Sequence, residues 1–234
     1  MTTIDTLTQA PVIGLLGGLG VGAAIHYYRE LAAQHDDYAQ PMNLVMVHAS
    51  IARATGYATR GDRDGLARYL AGFLGQLRAA GATFGVLPAI TPHLCIEPLQ
   101  AITPLPLIDL TAVVADHLRQ RGLSRVALFG TRFVVESDMY GRLEGIDVVR
   151  PRADEITFIH EAYTQLAHSG VVSKAHYDGF VTLAATLQRR EAIEAVVLAG
   201  TDFAVMFNES NTPFPHVDCT RAHLDVIMQR AGSS

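Results

Sequence analysis

Short apolar runs alternate with longer amphipathic stretches along this chain. PVIGLL (11–16) is an apolar run closed by glycines and reads as a buried strand, with a helix following from Val21 to Ala33. NLVMV (43–47) is the next strand. Between Arg63 and Ala80, Leu66, Leu70, Phe73, Leu74 and Leu77 recur at spacings of four, three, one and three, which is one face of a helix. FGVL (84–87) and PLIDL (106–110) read as strands, and Thr111–Gln120 as a helix with Val113, Val114 and Leu118 inward.

The second half repeats the alternation. RVALFG (125–130), IDVV (146–149), AVVL (195–198) and HVD (216–218) read as strands. Helices are expected at Phe133–Leu143, Ile156–Ala167, Ser173–Leu187 and Thr220–Gln229. Strands that are apolar on both faces and separated by helices predict an α/β fold with parallel, helix-covered sheets.

The strand count is high for one small sheet. Two informative strand exits, Pro88-Ala89-Ile90-Thr91 and Ala199-Gly200-Thr201-Asp202, lie in opposite halves, each with a threonine just beyond. Open α/β sheets bind ligands beyond the carboxyl ends of their strands. Two lobes facing each other would therefore enclose a small ligand from both sides. The expected division is residues 1–104 plus 214–234 for one lobe and 105–213 for the other.

Composition narrows the function. Of 234 residues, 49% are hydrophobic and 18% charged, and the net charge of −5 comes without a basic block, which argues against a nucleic-acid partner. No run approaches the ~18 apolar residues of a membrane span. MTTIDTLTQA lacks the positive and apolar regions of a secretory signal, so the chain reads as cytoplasmic. Two cysteines, Cys95 and Cys219, are too few for a disulfide framework. The ten histidines are dispersed without HxH or HExxH spacing, so no metal site is expected.

GGLGVGA (17–23) places Gly18, Gly20 and Ala23 at the G-x-G-x-x-A spacing of a dinucleotide loop. The second strand, however, runs into His48, Ala49 and Ser50, with no acid to hold a ribose. Two other readings stay open. The glycines could let a helix N-terminus approach a small anion such as a carboxylate, or they could simply make a tight turn.

Five separated segments resemble, in order, those of the aspartate/glutamate racemase superfamily of cofactor-independent amino-acid racemases. They are IGLLGGLGVGAAIHYYREL (13–31), GVLPAITPH (85–93), LFGTRFVVESDMYGRL (128–143), VVLAGTDF (196–203) and VDCTRAH (217–223). The resemblance implies two pseudo-symmetric α/β/α lobes, a site in the cleft between them, no cofactor, an amino-acid or small-carboxylate substrate, and a homodimer. It also implies two cysteines, one per lobe, that remove and return the α-proton on opposite faces. Those positions fall at Ala89 and Gly200, and the residue after the first is Ile90, so the two-thiol mechanism is not possible here.

Asp202, His93, Thr91 and Thr201 remain as candidates for the chemistry. The threonines could bond a substrate carboxylate, and Asp202 could hold an ammonium or act as a base. Asp202 is equally placed to cap a helix, whose dipole would lower its basicity unless it were desolvated. His93 could be a one-sided base or a structural histidine. Cys95 reads as a small buried hydrophobe, and Cys219 sits in a turn beside Asp218. Gly18, Leu19, Gly20, Ala89, Ile90, Thr131 and Gly200 line the expected substrate site by the same resemblance. Arg53, in a loop after the second strand, and Lys174, at a helix start, are the cations for clamping a carboxylate, or else solvated surface charges. Three activities remain open: a racemase-type proton transfer, a pseudo-racemase that only binds, and a lyase, decarboxylase or isomerase using the same cleft.

Overall fold

The computed structural model describes residues 11–37, 41–137 and 139–232. MTTIDTLTQA therefore lies outside the described residues, as does Asp138 within the expected helix 133–143.

The first sheet is built from β1 (Ile13–Gly17), β2 (Leu44–His48), β3 (Phe84–Val86) and β4 (Leu107–Ile108), in the order β2-β1-β3-β4. The second is built from β5 (Arg125–Gly130), β6 (Asp147–Val149), β7 (Ala195–Ala199) and β8 (His216–Asp218), in the order β6-β5-β7-β8. Every pairing is parallel. Each sheet thus runs second, first, third, fourth, and its two central strands, β1 and β3 or β5 and β7, are flanked on both sides. Burial follows from that placement: β1 and β7 are buried at every residue, whereas the edge strand β2 is not.

The helices are α1 (Val21–Asp37), α2 (Ile51–Thr59), α3 (Arg63–Ala79), α4 (Ile96–Ile102), α5 (Leu110–Gln120), α6 (Arg132–Glu136), α7 (Ala153–Ser169), α8 (Lys174–Glu191) and α9 (Cys219–Gly232). In α3 the expected face is the buried one, with Leu66, Leu70, Leu74 and Leu77 turned to the core. Its start is fixed by Asp62, whose carboxylate accepts a hydrogen bond from the Gly65 amide.

Three segments differ from the sequence expectation. The strand expected over 106–110 is only Leu107–Ile108, because Leu110 already opens α5 behind the Asp109 cap. Residues 51–59 form α2, capped by Ser50, so Arg53 lies on a helix rather than in a loop. The helix expected over 133–143 stops at Glu136, because Met139 and Tyr140 adopt left-handed backbone angles (φ 53° and 62°) that a continuing helix does not permit. The Ser137 hydroxyl meanwhile donates back to the Phe133 carbonyl and closes the last turn.

Strand pairing joins Leu107–Ile108 to β3 and His216–Asp218 to β7, across the boundaries expected at 104/105 and 213/214. The helices after these strands change sides. Leu110, Val114 and Leu118 of α5 enter the core of the second lobe, while Leu224 and Ile227 of α9 pack with Ile13, Tyr27 and Phe84 of the first. Among the described residues no helix is long and apolar enough to cross a membrane.

Candidate active site

The two strand exits meet. Past β3 the chain runs through Pro88, Ala89 and Ile90 into a 3-10 turn at Thr91–Cys95; past β7 it runs through Gly200 into a second at Thr201–Val205. The Thr201 hydroxyl donates to the Pro88 carbonyl at 3.2 Å, and the Thr220 hydroxyl, from the start of α9, donates to the Thr201 carbonyl at 3.2 Å. Both lobes and α9 are thereby tied at one point. Thr201, Asp202, Ala89 and Ile90 are all buried there.

Asp202 is the centre of the second exit. One carboxylate oxygen accepts from the Ala23 amide (3.2 Å) at the amino end of α1, and the other accepts from the Tyr163 hydroxyl (3.1 Å). Burial raises its pKa, and the hydrogen bonds from Tyr163 and Ala23 work against that rise. The helix whose dipole it meets is therefore α1, reached across 179 residues of sequence, and not only its own short turn.

The glycine loop is shaped around this carboxylate. A Cβ at Gly20 would stand 3.5 Å from Asp202 Oδ2, and one at Gly22 would stand 3.1 Å from Oδ1. The anion at the helix N-terminus is thus, in this structure, the chain's own. Gly18 answers a different need: at φ +83° its Cβ would lie 2.0 Å from the Ala49 carbonyl, so only glycine fits the turn over β2. Leu19 packs into the first lobe's core.

Gly200 abuts Tyr163 of α7. A Cβ at 200 would lie 2.3 Å from Tyr163 Cε2 and 2.5 Å from Cζ, so the tyrosine ring occupies the space a side chain there would need. The ring also packs against Phe203, with centroids 4.9 Å apart and planes tilted by 44°. Sequence reasoning missed Tyr163. The available signal was its place on the inward face of the helix with Ile156, Ile159 and Leu166, where a buried phenol requires a hydrogen-bond partner.

The first exit carries no comparable group. Ile90 packs into the second lobe's core. His93 is buried with both ring nitrogens engaged: Nδ1 donates to the Ala89 carbonyl (2.8 Å), and Nε2 accepts from the Leu110 amide (3.2 Å) at the head of α5. That pair of bonds fixes the neutral tautomer, and burial lowers the ring's pKa. Thr91 faces the Tyr140 hydroxyl, which is buried and has no well-formed hydrogen bond among the described residues. Burial pushes the Tyr140 phenol up.

The thiols are neutral and structural. Cys95 donates to the Pro92 carbonyl at 3.2 Å, and burial pushes it up to about 12. Cys219, the first residue of α9, is fully buried beside the Gly200 amide; burial, then the Asp218 charge, hold it well above the usual thiol range. A second buried imidazole, His223, accepts from the Tyr27 hydroxyl (3.0 Å) and donates to the Ile108 carbonyl (3.2 Å).

The remaining expected residues lie at the surface or at caps. Arg53 is exposed and stands 4.8 Å over the Tyr69 ring. Lys174 does open α8, where it is exposed and paired with Asp178 at 2.6 Å. Thr131 caps α6 through the Val134 amide. Among the described residues no three His, Cys, Asp or Glu side chains gather as for a metal ion.

With this geometry in hand, comparison with known proteins places the chain. The Asp/Glu/hydantoin racemase family model matches residues 16–227. The chain belongs to that family. Among solved structures, a Yersinia pestis protein provisionally assigned as an Asp/Glu racemase superposes with a TM-score of 0.82 at 22% identity, over 94% of this chain and 99% of that one. An aspartate racemase homologue from Pyrococcus horikoshii gives 0.79 at 22% identity, over 95% and 99%. Picrophilus torridus aspartate racemase gives 0.79 at 16%, over 95% and 94%. At these identities the structural likeness speaks for the two-lobed fold, and the family match extends it to membership.

Proposed function

We propose that this racemase-family protein moves a proton at the carbon beside the carboxyl group of a small amino acid or carboxylate, without a cofactor and without paired thiols. Asp202 is the acid/base. The observation that carries this reading is its carboxylate, buried where the two strand exits meet and raised in basicity by that burial. A base working near neutral pH needs such a shift. Thr91 flanks the first exit as a hydrogen-bonding group for the ligand, whereas the Thr201 hydroxyl already donates to the Pro88 carbonyl.

One acid/base serves one face of a carbon. Exchange of the α-proton with solvent should therefore outrun inversion. The test is proton NMR in D2O with a panel of acidic and apolar amino acids and small dicarboxylates. Loss of the α-proton signal with wild type, abolished in Asp202→Asn and kept in Cys95→Ala and Cys219→Ala, is the expected result.

A second reading, a ligand-binding protein without turnover, is favoured by one observation: Tyr163 fills the space at Gly200 where a second reactive side chain would stand. Saturable line broadening with no exchange and no product would select it. The assembly we propose is a cytoplasmic homodimer. Val21, Ile25 and Tyr28 support it, being exposed apolar residues at spacings of four and three along α1, with Met46 and Ile51 exposed as well. Sedimentation of wild type against Ile25→Glu tests it.

A further inference from the structure

The space at position 200 is not empty, and what fills it is chemically useful. The Tyr163 ring lies within 2.5 Å of where a Cβ on Gly200 would be, and its hydroxyl would be 2.9 Å from that same point. From there the hydroxyl reaches Asp202 Oδ2 at 3.1 Å. Glycine at 200 and tyrosine at 163 are therefore sterically conditional on each other. The carboxylate is held from two sides, by a phenol of α7 and by an amide of α1.

We propose that Tyr163 stands in for the missing side chain at 200: its ring takes that volume, and its hydroxyl makes it the positioning residue that holds the Asp202 carboxylate at the amino end of α1. This rests on the reading above, in which Asp202 is the acid/base. The step it serves is balanced. The Cα–H bond breaks, the proton goes to a carboxylate oxygen of Asp202, and the electron pair moves into the substrate's carboxyl group as an enolate. The carbon then regains a proton from Asp202 after exchange with solvent. Tyr163 keeps its own proton throughout, since burial, then the Asp202 charge, hold its phenol well above the ordinary range. Among the described residues, the other titratable groups that feel the Asp202 charge are Tyr27 of α1 and Cys219 of α9, both buried and neutral.

The experiment is a carbon-13 NMR titration of the aspartate carboxyls, with Asp202 assigned by its loss in Asp202→Asn, run beside the deuterium exchange assay. Tyr163→Phe keeps the ring and removes the donor. Its Asp202 midpoint should move up by at least half a pH unit, and any exchange activity should shift to higher pH with it. An unmoved midpoint would overturn the proposal, whatever the activity. A moved midpoint in a protein with no exchange on any compound would keep the Tyr163 assignment and sink the proton-transfer reading instead.

The steric half has its own readout. Gly200→Ala should lower the melting temperature by several degrees, or abolish soluble expression. Adding Tyr163→Ala should recover most of that loss relative to Tyr163→Ala alone. Equal loss from Gly200→Ala in both backgrounds would show that the two positions are independent.

Discussion

The two strand exits share a place in their sheets but differ in what they do with polar groups. Past β3, the imidazole of His93 is spent on the protein itself, linking the Ala89 carbonyl to the Leu110 amide. Past β7, a carboxylate and a phenol meet each other and the end of α1. One exit is a joint between lobes, and the other holds a buried carboxylate between a phenol and a helix end. Equal topology does not distribute chemistry equally. A residue type suited to catalysis, such as His93, becomes a strut when both of its nitrogens already have backbone partners.

The sharpest way to break this contrast is to swap the fates of Asp202 and His93. Asp202→Asn should cut α-proton exchange by ~100-fold or more, the usual worth of a positioned acid/base. His93→Ala should act on stability: urea unfolding should show a loss of about 3 kcal/mol, from a buried carbonyl and a buried amide left unpaired. If His93→Gln abolished exchange while unfolding at the wild-type midpoint, the first exit would be chemical after all.

Acid should sharpen the contrast further. His93 and His223 are held neutral by burial, with His223 lowered to about 3. Below pH 6.5 the unfolded chain takes up protons that the folded imidazoles refuse, so stability falls with pH by up to about 1.4 kcal/mol per unit for each ring. Asp202 and Asp218, both raised, have the opposite sign nearer their own titration, because there the fold binds the extra proton. The decline should thus set in as pH falls below 6.5, and guanidinium melts of His223→Gln should show a flatter slope there.

The smallest effect is expected at the surface. Lys174→Ala should change stability by no more than ~0.5 kcal/mol, as for an exposed i,i+4 pair. A several-fold rise in the half-saturation of exchange would instead make Lys174 a substrate clamp.

Much of the architecture was legible because it rests on local periodicity. Arg125–Gly130 and His216–Asp218 match their expected bounds, and α3 shows the predicted face. The break after Glu136 was not legible, since it depends on left-handed residues that are not glycine. The contact between Tyr163 and Gly200 was not legible, because the two meet only after α7 packs on β7's exit. The partner of Asp202 was not legible: its own turn suggested a cap, whereas the helix end it meets belongs to α1.

The exchange of α5 and α9 between lobes bears on how the protein is made. Ile13, Tyr27 and Phe84 leave the ribosome early, yet the apolar surface they form is closed by Leu224 and Ile227. Until α9 emerges, the first lobe carries an open hydrophobic face, the kind of surface on which nascent chains aggregate or recruit holding chaperones. The lobe that is synthesised first is completed last.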